Sequence, residues 1–196
     1  MVLTSLKVND LAYALLACLS CAAVLAAADY VYPTIKGTNI RDYSKPGYKI
    51  EKDSRGNTVA YPTIKGTNIR DYSKSGYKVE TDKKGNSVVY PTVKGTSIRD
   101  YSKSGYKVET DNKGNSVAYP TLKGTSVRDY SQSGYKIENN SGRTIVSPTL
   151  KGTSIKDYSR SGYIIATDTN GNIIVNPTAT GTTIRDFDQP GYIINK

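Results

Sequence analysis

Two hydrophobic patterns divide the chain. From Leu11 to Ala28 the residues are apolar almost without a break. Beyond Asp29 the pattern changes to alternation, as in Tyr106-Lys107-Val108-Glu109-Thr110, which predicts a half-buried strand. Asp111-Asn112-Lys113-Gly114 then supplies turn residues, and Asn115-Ser116-Val117-Ala118-Tyr119 predicts a returning strand. A four-residue loop sets Val108 opposite Val117 and Tyr106 opposite Tyr119, leaving Lys107 and Glu109 on the other face with Ser116 and Ala118. A shift by one residue would place Lys and Glu beside Val and Tyr, so the first register is the expected one. No stretch after Ala28 carries apolar residues at helical spacing, and the fold class expected is all-β.

The hairpin recurs. Tyr-Pro-Thr begins at Tyr32, Tyr61, Tyr90 and Tyr119 and returns as Ser147-Pro148-Thr149 and Asn176-Pro177-Thr178, at spacings of 29, 29, 29, 28 and 29 residues. The copies occupy residues 32–60, 61–89, 90–118, 119–146 and 147–175, with a partial copy at 176–196. Together they make residues 29–196 a single repeat domain. Pro, Thr, Gly, Thr, Asp, Gly and Tyr recur in all six copies at repeat positions 2, 3, 6, 7, 11, 16 and 17. The sixth copy has drifted most, yet it keeps these residues together with Ile184 and Arg185, which points to a requirement of the fold. The fourth copy lost its one residue inside the turn at Asn140-Ser141-Gly142, and a three-residue loop there leaves Ile137 facing Ile145. Between hairpins the sequence predicts a further short strand at Thr96–Tyr101 and its equivalents. Proline at the second position argues against a central strand there.

One such unit cannot bury a core alone, because isolated hairpins are marginal in water. Stacking each apolar face on the next copy solves this. The expected architecture is therefore an elongated, β-solenoid-like array of stacked hairpins, with the short last copy as its cap. A propeller is less favoured, since a blade takes about 40–50 residues.

The apolar start changes the picture of where the repeats work. A polar opening, an apolar run and the small-residue end Ala26-Ala27-Ala28 have the layout of a secretory signal peptide over residues 1–28, with Asp29 as the new N-terminus. An uncleaved anchor remains open, since the run covers 18 residues, as does lipidation at Cys18 in Leu15-Leu16-Ala17-Cys18. All three place the repeats outside the cytoplasm, secreted or on the cell surface. After Ala28 the chain has no Cys, Met, His or Trp. This removes disulfides, the usual zinc sites and any Ser-His or Cys-His pair. Recurring Asp and Glu would repeat a catalytic pair several times over, whereas active sites are singular clefts. No enzyme and no cofactor is expected.

Charge and aromatics supply the candidate chemistry. The formal charge is +10, and the six copies carry +3, +3, +2, +2, +1 and 0. Bases recur at the fifth position (Lys36, Lys65, Lys94, Lys123, Lys151), the tenth (Arg41, Arg70, Arg99, Arg128, Lys156, Arg185) and the eighteenth (Lys49, Lys78, Lys107, Lys136). Ladders of like charge suit an anionic polymer, while close carboxylates such as Glu109 beside Lys107 offer a purely structural use. Sixteen tyrosines follow the leader. Those at the seventeenth position fall on the apolar hairpin face. Tyr43, Tyr72, Tyr101, Tyr130 and Tyr158 lie beside the basic residue and suit stacking on a sugar or base. Asp168-Thr169-Asn170-Gly171-Asn172 has a calcium-loop rhythm, but other copies carry Lys there and no Glu closes the loop, so it reads as a turn.

The sequence thus predicts a non-enzymatic, secreted or surface β-repeat protein serving in an envelope, matrix or adhesive role. Its candidate ligand-binding residues are Arg41, Arg70, Arg99, Arg128, Lys49, Lys78, Lys107, Lys136, Tyr43, Tyr72, Tyr101 and Tyr130. The expected partner is an acidic polysaccharide, another envelope polymer or extracellular DNA bound without sequence recognition. The alternative is a structural subunit that self-assembles into fibres by end-to-end or edge pairing.

Overall fold

The computed structural model describes residues 29–82, 86–140 and 142–195, so the expected leader lies outside the described residues. The strands are β1 (Asp29–Pro33), β2 (Tyr48–Lys52), β3 (Thr58–Pro62), β4 (Tyr77–Thr81), β5 (Ser87–Pro91), β6 (Tyr106–Thr110), β7 (Ser116–Pro120), β8 (Tyr135–Asn140), β9 (Arg143–Pro148), β10 (Tyr163–Thr167), β11 (Ile173–Pro177) and β12 (Tyr192–Asn195). Each pairs with its chain neighbours, and β12 closes on β1 to complete an antiparallel barrel.

Closure corrects the expected open array. The short sixth copy is not a cap: β12 is the first strand of a hairpin whose second strand is β1, with Val31 paired to Ile194 and Tyr32 to Ile193. The start and end of the chain together make the sixth hairpin without a covalent turn. An open array would leave two edges of unpaired N–H and C=O groups, and closure satisfies both. The residue count that disfavours a four-stranded blade does not apply to a ring built from two strands per copy.

The register also differs from the expected one. Lys107 pairs with Tyr119, Val108 with Ala118, and Glu109 with Val117. The turn is one residue longer than the sequence pattern suggests: Asp111 N–H donates to the Asn115 carbonyl at 2.8 Å, and Gly114 N–H donates to the Asp111 carbonyl at 3.0 Å. In the fourth copy, likewise, Ile137 faces Val146 and Ile145 faces Glu138. The expectation assumed one apolar face, whereas both faces carry apolar residues. The concave inner face takes small partners such as Ala60 and Ala118 opposite Ile50 and Val108.

Tyrosine at the seventeenth position fills the interior, as expected. A barrel of this many strands is wider than the eight-stranded kind that aliphatic side chains fill. Tyr77, Tyr106, Tyr135 and Tyr163 are buried, with Tyr48 and Tyr192 packed against them. Tyr48 and Tyr77 have ring centroids 6.2 Å apart. Burial pushes the Tyr48 hydroxyl up to about 12, and burial with the neighbouring Tyr48 raises Tyr192 as well. Ile50, Val79, Val108, Ile137 and Ile194 make the next layer, and Val31, Ala60, Val89, Ala118, Val146 and Val175 line the intervening strands.

The expected strand at Thr96–Tyr101 is instead part of a folded loop. Proline ends a strand in each copy, as Pro91 ends β5, and the next threonine extends the ladder by one step. Buried Thr92 donates its N–H to the Gly76 carbonyl at 2.9 Å, and its Oγ1 accepts from Gly76 N–H at 3.0 Å. A Cβ on Gly76 would lie 2.1 Å from the Ala60 carbonyl oxygen, so only glycine fits. Thr92 bridges back to Arg99 around Gly95, whose φ of +71° requires glycine. Gly95 N–H reaches the Lys74 carbonyl of the preceding loop at 3.1 Å. The Asp100 carboxylate accepts from Ser102 N–H at 3.0 Å and Ser102 Oγ at 2.5 Å. These bonds from Ser102, with Lys103, hold its carboxyl near 2. The residues common to all six copies are thereby accounted for as turn, ladder and core residues.

Hairpin turns lie at one end of the barrel and the inter-hairpin loops at the other. Asp29 and Asn195 belong to the turn end, since Tyr30 pairs with Asn195. The loop end carries neither terminus of the described chain.

Candidate ligand-binding surfaces

The predicted bases of the tenth and eighteenth positions meet on the outer wall. Glu51 accepts from Lys49 at 2.8 Å and from Arg70 of the next copy. Glu109 pairs with Lys107 at 3.2 Å and with Arg128. Glu80 binds Arg99 and lies 3.7 Å from Lys78, which also holds Asp53 at 2.9 Å. Glu138 takes Lys136 at 3.0 Å and Lys156 at 2.6 Å. Burial pushes the Glu138 carboxyl upward, and the bonds from Lys156 and Lys136 outweigh it, so the group sits below its ordinary value.

Four of these arginines also cap a tyrosine of the first repeat position. Arg41 lies 3.5 Å over Tyr32, Arg70 3.8 Å over Tyr61, Arg99 3.8 Å over Tyr90 and Arg128 3.9 Å over Tyr119. The guanidinium covers a large aromatic surface that the outer wall would otherwise expose. Arg41 has no glutamate before it and instead donates to the Thr67 carbonyl at 3.4 Å and to Asn68 Oδ1 at 3.2 Å.

The copies change these contacts as sets. The fifth has Ile164 and Ala166 where earlier copies have Lys and Glu, and the following Arg185 turns to the Thr38 carbonyl at 2.9 Å. That bond joins the last copy to the first. Where Ser147 replaces the first-position tyrosine, Lys156 replaces arginine. An anionic ligand at Arg70, Arg99, Arg128, Lys49, Lys107 or Lys136 must displace a glutamate, whereas Arg41 and Arg185 are held by backbone carbonyls and aromatic rings.

The loop end is different. Tyr43, Tyr72, Tyr101, Tyr130 and Tyr158 are exposed there, Tyr101 at 65%. Lys65, Lys94, Lys123 and Lys151 stand on the same loops, exposed, and make no ion pair among the described residues. Lys36 meets Asp188 across the closure at 3.2 Å. The structure thus brings the predicted arginines and eighteenth-position lysines together on the wall, and sets the predicted tyrosines on the loops with the fifth-position lysines.

Sequence reasoning missed the aliphatic residues of these loops. Ile40, Ile69, Ile98, Val127, Ile155 and Ile184 fall within the short strand expected at Thr96–Tyr101 and its equivalents, and the structure leaves them 57–68% exposed on the loops. Ile35, Ile64, Val93, Leu122 and Leu150 are also exposed. Among the described residues, every large exposed apolar side chain belongs to these loops. The available signal was the turn chemistry around them: Thr96 Oγ1 donates to the Val93 carbonyl at 3.0 Å and accepts from Ile98 N–H at 3.1 Å, bending the chain where alternation suggested extension. At the turn end, Asp168 Oδ1 accepts from Asn170 N–H at 2.9 Å and Asn172 N–H at 2.8 Å, as its reading as a turn implies.

Comparison with protein-family models, curated proteins and solved structures finds no match.

Proposed function

We propose that the protein is a non-enzymatic binding ring that works outside the cytoplasm and engages acidic polysaccharide, or a related anionic envelope polymer, through its loop end. The observation that carries this reading is that each of four loops carries both an exposed tyrosine and an exposed lysine that makes no ion pair among the described residues: Lys65 and Tyr72, Lys94 and Tyr101, Lys123 and Tyr130, Lys151 and Tyr158. A tyrosine face stacks on a sugar ring while the ammonium meets a carboxylate or phosphate. Individually such contacts are weak; spaced around a ring, they combine on one polymer chain by avidity.

The wall bases serve this function indirectly, by holding the copies in register. The carboxylates named above are committed to ion pairs or turn hydrogen bonds, which favours binding over catalysis. An adhesive, envelope or matrix role follows from multivalent binding outside the cell. Fibre formation by edge pairing requires open strand edges, and closure leaves none at β1 or β12.

The test compares two sets of substitutions in binding to polygalacturonate at low and high salt. Lys65, Lys94, Lys123 and Lys151 changed together to Gln are expected to weaken binding by on the order of tenfold or more at low salt. The same change at Lys49, Lys78, Lys107 and Lys136 is expected to leave polymer binding within about twofold. The reverse ranking would move the ligand to the wall.

A further inference from the structure

Polysaccharide recognition uses the lysines and tyrosines and leaves the aliphatic ring without a role. Position nine is Ile40, Ile69, Ile98, Val127, Ile155 or Ile184 in the six copies. All six are exposed, Ile184 most of all at 68%, so burial does not account for the residue type. The sixth copy is informative here: it has exchanged Lys for Thr180, the fourth-position aliphatic for Ala179 and Tyr for Phe187, but it keeps Ile184. Each of these aliphatics stands three residues before an exposed aromatic, as Ile98 does before Tyr101, so apolar and aromatic groups share every loop. The copies form a closed ring, which carries the six loops at one end of the barrel, away from both termini of the described chain.

We propose that this loop end docks on an anionic lipid surface, the aliphatic ring entering the interfacial layer, the aromatics lying at headgroup level and the lysines meeting lipid phosphates. Exposed apolar surface gathered at one end marks an interaction site, and its combination with lysines that make no ion pair among the described residues fits an anionic leaflet. Two copies face to face would set Lys65, Lys94, Lys123 and Lys151 against the same residues of the other ring, an unfavourable meeting of like charges. Spanning the bilayer is a different geometry: a transmembrane strand needs about 9–11 residues, whereas β1 to β12 have four to six, and the wall carries Lys–Glu pairs. Contact is therefore with the end of the barrel. This inference rests on the same face as the proposed function and assigns its apolar half.

The experiment is cosedimentation of residues 29–196 with phosphatidylcholine vesicles, with and without phosphatidylglycerol. Wild type is expected to pellet with the phosphatidylglycerol vesicles and only weakly with neutral ones. Changing the six position-nine aliphatics to Ser is expected to lower vesicle affinity by on the order of tenfold or more, with melting temperature and polygalacturonate binding retained. A Tyr101→Trp variant, in a chain otherwise without Trp, is expected to shift its emission to the blue on the anionic vesicles. Unchanged vesicle affinity in the Ser variant, an unshifted emission spectrum in the Tyr101→Trp variant, or a lipid-free dimer that the Ser substitutions dissolve would each overturn the lipid assignment. Vesicle binding that persists while polygalacturonate binding fails would refute the proposed function and leave this inference standing.

Discussion

The outer wall and the loop end carry similar residues to opposite effect. On the wall, basic and aromatic side chains meet each other: Arg128 lies over Tyr119 and binds Glu109, which also holds Lys107. On the loops, Lys123 and Tyr130 are exposed in the same copy, and no ion pair to Lys123 is present among the described residues. The difference comes from what stands alongside each base. Most wall bases have a glutamate on a nearby strand at the right height, whereas the loop carboxylates are taken by other partners, as Asp129 is by Ser131 and Gln132 in the same loop as Lys123. Net charge alone therefore misleads, because much of the basic content is held inside ion pairs and only the remainder is available to a partner.

The sharpest way to break this comparison is to remove the same side chain from its two settings within one copy. Tyr106→Ala takes an aromatic out of the packed interior and is expected to destabilise by about 3–5 kcal/mol, while Tyr101→Ala on the loop is expected to stay within about 0.5 kcal/mol. Urea titration of the two variants checks this. Equal effects would mean that the loop tyrosine is also part of the packing.

High pH probes the interior from another side. Tyr48 ionises near 12 in the folded barrel because burial disfavours its phenolate, against about 10 in an unfolded chain. The folded state then holds its proton where the unfolded state has lost it. Stability contributed by this group is complete below about pH 10 and is lost as pH rises through about 12. Thermal melts across this range, followed together with phenolate absorbance, are expected to show buried tyrosines ionising as the barrel opens.

Smaller effects follow at the joints. Gly76→Ala drives a methyl into the Ala60 carbonyl and is expected to destabilise by about 3 kcal/mol, readable in the same urea titration. Glu109→Gln leaves Lys107 and Arg128 without their shared carboxylate. It is expected to lower stability by about 1 kcal/mol, with the difference shrinking at high salt. A salt-independent loss would indicate that Glu109 acts through packing instead.

Much of the local structure was legible in the chain. Alternation and turn residues located the hairpins, and Tyr106 was readable as a core residue from its place on the apolar face. The register was less accessible, because Val117 and Tyr119 look like core residues yet lie half-buried away from the core, with Arg128 over Tyr119. Closure was hidden in plain sequence: the partial sixth copy resembles an end, yet Ile193 and Ile194 find their partners in Tyr32 and Val31 at the other end of the chain. Contacts over that separation leave no local signature. The loop aliphatics were misplaced for a related reason, since Ile98 alternates like a strand residue while the hydroxyl of Thr96 folds its segment into a turn.

Both sides of the comparison depend on the ring, which sets the wall ladders side by side and gathers the loops at one end. The most direct test is a disulfide across the closure. Residues 29–196 contain no Cys, and Tyr30 pairs with Asn195, so a Tyr30→Cys, Asn195→Cys double variant has no competing thiols. Paired residues on adjacent strands lie within the span a disulfide bridges. Mild oxidation at low protein concentration is expected to give a monomeric, internally cross-linked chain with a raised melting temperature. Free thiols, or cross-links only between chains, would contradict the closed barrel and return the fold to an open array with its ends apart.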